Sequence, residues 1–132
     1  MTTEFVAQFD RMCAGLHSGD DRTRAACGEW LTQIRDSERP LDACLEIVDA
    51  PCADLTRSTA ALILRQALVR IWATLSEAEV VDIRVKLLNR VVAESTPRGV
   101  RLQLIETAAL LIKRTWFVCR LCVMCVDVCI CV

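Results

Sequence analysis

The residues best suited to chemistry in this chain of 132 residues are its nine cysteines. Four of them near the end, Cys119, Cys122, Cys125 and Cys129, have the spacing C-x2-C-x2-C-x3-C. Thiolates at that spacing can wrap an iron–sulfur cluster. Ile130, however, stands where the ferredoxin motif has proline, there is no second cysteine group, and no glycine-rich loop shapes the turn. The spacing therefore predicts no cluster. Zinc fares no better, because His17 is alone and remote from these thiols. Cys13, Cys27, Cys44 and Cys52 are scattered through apolar stretches. There a thiol acts as a small buried hydrophobe in a reducing compartment.

No other residue set supplies a reaction. No serine, cysteine or lysine nucleophile stands beside a base. Asp20 and Asp21 read as a turn and cap, Glu77 and Glu79 belong to a helix start, and His17 reads as a capping or surface residue after a helix end. Gly15, Gly19, Gly28 and Gly99 stand singly, so no phosphate loop exists. The sequence thus predicts no catalytic residue, no cofactor-binding residue and no metal ligand, and the chain does not read as an enzyme. Sixteen basic and seventeen acidic residues leave a net charge of −1, which offers no electrostatic case for nucleic acid. The first ten residues carry Glu4 and Asp10 and no apolar run of signal length, so the expected setting is cytosol or nucleus.

What the residues do specify is helices. The chain is 54% hydrophobic and 25% charged, with leucine, valine, alanine and isoleucine as its main apolar content. That is the usual filling between packed helices. Spacing predicts a first helix over about 3–16 (Phe5, Val6, Phe9, Met12, Cys13, Leu16) and a second over about 21–37 with Ala26, Trp30, Leu31 and Ile34 inward. Pro40 opens a third, to residue 49, and Pro51 stops it. The fourth, about 53–74, is apolar on most sides and must be covered by several neighbours. Arg57, Arg65 and Arg70 interrupt it, and they read either as a binding face or as solvated and neighbour-paired charges. Ser76-Glu77-Ala78-Glu79 is a capping box and starts the fifth, with Val80, Ile83, Leu87, Leu88 and Val91 inward. Ser95-Thr96-Pro97 predicts a hydroxyl cap and a proline at the first position of the sixth. That helix carries Val100, Leu104, Ile105, Ala108, Leu111 and Ile112, with Lys113 and Arg114 at its negative end. Trp30, Trp72 and Trp116 read as packing residues.

Short connections make sequential helices antiparallel neighbours, which leaves a closed bundle or a stack of pairs. The second, fourth and sixth helices share an arginine followed by alanine- and leucine-rich turns, at Arg24, Arg57 and Arg101. The spacings, 33 and 44 residues, lie near the period of helical-pair repeats.

The same residues resemble a family. Cys44-Leu45-Glu46-Ile47-Val48, Ala60-Ala61-Leu62-Ile63 leading to Ala67-Leu68-Val69-Arg70-Ile71-Trp72, Ile83 to Leu88, and Val100 to Arg114 come in an order similar to the amino-terminal HEAT repeats of the importin-β/karyopherin superfamily. Many members carry Lys-Asn after the Ala/Leu run; Leu64-Arg65-Gln66 stands here and resembles the exportin branch instead. The resemblance implies an all-α solenoid of about three antiparallel helix pairs over residues 1–115. It also implies binding of the GTP form of the small GTPase Ran by helices two, four and six. In a full-length receptor it implies protein cargo and nuclear pore partners as well, with no nucleic acid and no membrane, and traffic between nucleus and cytoplasm. A helical-repeat interaction scaffold without Ran binding is the alternative. Full receptors of this kind are several times longer, so the chain reads as a fragment whose last pair exposes a face meant for a fourth.

From Trp116 the composition changes. Valine and cysteine alternate as a GT dinucleotide repeat would encode them, so residues 116–132 read as translation past a lost splice site. Seventeen residues holding Arg120 and Asp127 fall short of the ~20 apolar residues of a membrane span.

Overall fold

The computed structural model describes the backbone of residues 3–130 and the side chains of residues 3–114. Six α-helices follow one another: α1 (Thr3–Gly15), α2 (Asp21–Arg35), α3 (Pro40–Asp49), α4 (Asp54–Ile71), α5 (Glu77–Val92) and α6 (Arg98–Ile130). One 3-10 turn, Trp72–Thr74, follows α4. There is no strand among the described residues.

Local chemistry sets most of the boundaries. Asp20 caps α2, accepting from the Thr23 amide at 3.2 Å and its hydroxyl at 2.6 Å. The Thr23 hydroxyl bond holds the Asp20 carboxyl below its usual range. Both halves of the capping box at α5 are present, the Glu79 amide donating to Ser76 Oγ at 3.2 Å and the Ser76 amide to Glu79 Oε2 at 2.7 Å. The fourth helix is shorter than its apolar pattern predicts. Its last turn tightens to 3-10 geometry, where Thr74 Oγ1 donates back to the Ile71 carbonyl at 2.7 Å.

The sixth helix departs from expectation at both ends. Thr96 does not cap it; its hydroxyl donates to the Arg90 carbonyl at 2.7 Å and so closes the end of α5. Pro97 precedes the first helical residue, and its carbonyl accepts from the Arg101 amide at 2.9 Å. At the far end the backbone remains helical to Ile130, so Lys113 and Arg114 lie mid-helix and not at a negative pole. No glycine or proline after Arg114 supplies a stop. The side chains of the cysteine-rich tail, with Trp116, lie outside the described residues.

Within each pair, α1 packs on α2, α3 on α4 and α5 on α6. Between pairs, α4 meets α1, α2 and α6, so α2, α4 and α6 form one row. This is the order of contacts in a stack of pairs. The core runs through it, with Phe9, Ile47, Leu64, Leu68, Leu87, Leu104 and Leu111 fully buried. Phe5 and Phe9 hold Trp30 between α1 and α2, with ring centroids 6.2 and 5.9 Å from the indole. Ala26 and Leu88, expected inward, are exposed, and so are Ile105 and Ile112 of α6. In α5 and α6 the apolar stripe is wider than the surface that neighbours cover. Val81, Val85, Leu88 and Val92 therefore form an open seam along α5, and Leu102, Ile105 and Ile112 form another along α6.

Candidate functional site

The row α2, α4 and α6 is the surface on which the expected partner would rest. The arginines of its central helix α4, Arg57, Arg65 and Arg70, are all engaged inside the molecule. Arg57 Nε donates to the Val48 carbonyl at 2.6 Å, at the end of α3. Arg65 reaches from α4 to Glu106 of α6 at 2.5 Å. Arg70 donates to the Arg35 carbonyl at 2.9 Å and lies 3.6 Å from Asp36, just beyond α2. Arg35 itself bonds Asp36, at 2.9 and 3.2 Å, and that bond holds the Asp36 carboxyl below its usual range. These guanidinium groups fix the row rather than stand free above it.

Arg24, Arg57 and Arg101 each occupy the fourth residue of their helix. Each guanidinium reaches back to a carbonyl at or just beyond the end of the preceding helix. Arg24 donates to Ser18 at 2.7 Å, Arg57 to Val48 at 2.6 Å, and Arg101 to Ala93 at 3.0 Å and Thr96 at 3.2 Å. The last carbonyls of a helix lack intrahelical partners and carry negative partial charge, so a guanidinium there is well placed. The recurrence noticed in the sequence is thus one bond made three times. Arg90 of α5 clamps Asp49 of α3. No local pattern announces that pairing, because its partner lies 41 residues away.

Between α2 and α4 a cleft of about 180 Å³ opens over Leu31 and Ile63, with Thr32, Arg35, Thr59 and Gln66 at its edge. Gly28 also lines it. It is mixed in polarity and gathers no acid–base pair. Among the described residues no group of histidine, cysteine and carboxylate side chains could hold a metal ion, and the Cys119–Cys129 spacing lies outside them. Cys13, Cys27 and Cys44 are buried and Cys52 half-buried, all as free thiols. Burial pushes Cys13 up to about 11 and Cys44 up to about 12, which keeps both protonated and inert. His17 is exposed after α1. No helix of the described residues is long and apolar enough to cross a membrane.

Neither the curated proteins nor the solved structures yield a significant match. The family model of the importin-beta N-terminal domain matches residues 28–93, from the middle of α2 to just past the end of α5, which is half of the chain. The matched span takes in the capping box, the Arg57 and Arg90 bonds and the central buried helix, and the chain belongs to the family of the importin-β N-terminal domain.

Proposed function

We propose that these helix pairs are the amino-terminal part of a nuclear export receptor of the exportin-4 branch. In this reading they bind Ran-GTP through the row α2, α4 and α6, while a longer receptor carries protein cargo from nucleus to cytoplasm and meets nuclear pore proteins on the way. They act by binding and not by catalysis. The family match over residues 28–93 carries the reading. The row of three helices supports it by offering one continuous surface, each helix of the row coming from a different antiparallel pair. Leu64-Arg65-Gln66 supports the exportin branch. Retention of the chain on immobilised Ran loaded with GTP, and not with GDP, is the expected result; equal retention or none on both forms would refute it.

One observation favours a second reading, a helical-repeat scaffold without Ran binding. Arg57, Arg65 and Arg70 are tied to neighbouring helices and leave the row without an unengaged arginine on α4. A folded helical chain that ignores both nucleotide forms of Ran would bear this out.

A further inference from the structure

A groove of about 320 Å³ lies away from that row, between the start of α3, the link after α4, and α5. Its floor is apolar, made by Leu41, Leu45, Ile71, Leu75 and Ile83. Leu45 and Ile83 are buried beneath it and the other three are half-buried. The volume stands at the small end of ligand clefts, and it accommodates one large side chain with its adjoining backbone. Both walls belong to this chain. The open seam of α5, at Val81 and Val85, is not among its lining residues, so a further helix pair stacked on that seam would leave the groove accessible.

The rim identifies the occupant. It carries Glu38, Asp42, Glu79 and Asp82 against Arg39 and Lys86. The two bases are already matched, Arg39 to Asp42 at 2.8 Å and Lys86 to Asp82 at 2.8 Å. Glu79 accepts only an amide from Ser76, which leaves its charge in place, and Glu38 makes no ion pair among the described residues. Two uncompensated carboxylates therefore flank an apolar floor. We propose that this groove docks an extended peptide segment in which one bulky aliphatic side chain is flanked on both sides by lysine or arginine. The aliphatic group loses water on the floor, and the flanking cations meet Glu38 and Glu79 at the rim, where their effect on encounter and register is greatest. An acidic or uncharged flank meets repulsion or nothing.

The test is a nuclear magnetic resonance titration of the isotope-labelled full chain at low salt. Three synthetic peptides of equal length are compared, each with a central leucine flanked by lysines, glycines or glutamates. The lysine peptide is expected to move amides within 38–45, 71–75 and 79–86 and to bind about fivefold or more tighter than the glycine peptide. Glu38→Lys, an exposed substitution whose folding is checked by the spectrum itself, should reduce the lysine peptide to the level of the glycine peptide. Equal binding of all three peptides, shifts centred elsewhere, or no shifts with any peptide would overturn the proposal.

Discussion

Arg90 of α5 holds Asp49, the last residue of α3, through two bonds, Nε at 2.8 Å and Nη2 at 2.5 Å. The same guanidinium donates to the Lys86 carbonyl at 2.7 Å, one turn back in its own helix. Two-point contact fixes both distance and angle between consecutive pairs. Arg90 is only 21% exposed, so the contact is screened less than an ordinary surface pair. Arg90→Ala and Asp49→Ala should each cost about 1 kcal/mol. In a urea-unfolding double-mutant cycle the two losses should not add. Additive losses would show that the clamp contributes nothing as a pair.

The three fourth-position arginines should differ in weight. Arg57 makes a short bond in half-buried surroundings, Arg101 two longer ones, and Arg24 an exposed one. Replacement by methionine keeps most of the apolar stem and removes the donors. We expect a loss of about 1–2 kcal/mol at Arg57, less at Arg101 and least at Arg24, because a charged donor to a buried carbonyl is worth more than one in water. Thermal unfolding of the three variants reads the order directly.

Gly15 sits where α1 meets α2. A Cβ built there would lie 2.3 Å from Cys27 Sγ but 3.5 Å from Cys27 Cβ. Gly15→Ala should therefore destabilise the chain by about 1 kcal/mol through overpacking. In a Cys27→Ala background the same change should be neutral or stabilising, since the offending sulfur is gone and alanine favours the helix. A penalty that persists in the double variant would place the strain elsewhere.

The buried thiols predict a pH dependence. Cys13 and Cys44 ionise near 9.0 when unfolded and only at about 11 and about 12 when folded. Below pH 9 both states are protonated and these groups leave stability unchanged. Above it the unfolded chain releases protons that the folded chain keeps, so stability falls as pH rises from about 9 towards 11 and beyond. At pH 8, alkylation scored by peptide mapping should modify half-buried Cys52 before Cys13 or Cys44. Early labelling of Cys44 would contradict its burial.

Features that depend on a few adjacent residues were legible in advance. Asp20 before α2, Pro40 at the start of α3 and the Ser76–Glu79 box are decided within four residues, and all three stand as read. Thr96 and Leu88 show where such reading stops. A hydroxyl before a proline can serve the helix behind it as readily as the one ahead, and Thr96 serves α5. Leu88 and Leu87 are adjacent on one apolar stripe, yet only the second is buried, because α6 covers part of that stripe. The row of α2, α4 and α6 was legible as an alternation of helices, and neighbour pairing of Arg57, Arg65 and Arg70 was one of the two readings open, but the identity of their partners was not legible. Their partners are set by how the pairs lean together, which helical periodicity does not encode.

The arginine bonds divide into two chemical kinds. Inside a pair, Arg24, Arg57 and Arg101 end on backbone carbonyls. From one pair to the next, Arg90–Asp49 and Arg65–Glu106 end on carboxylates, while Arg70 bonds the Arg35 carbonyl and lies 3.6 Å from Asp36. Dissolved salt weakens attraction between full charges far more than a bond to a neutral acceptor. Rising ionic strength should then slacken the joints and spare the segments. Such a rod has a stiffness that its surroundings can tune, yielding at its seams while each pair keeps its shape.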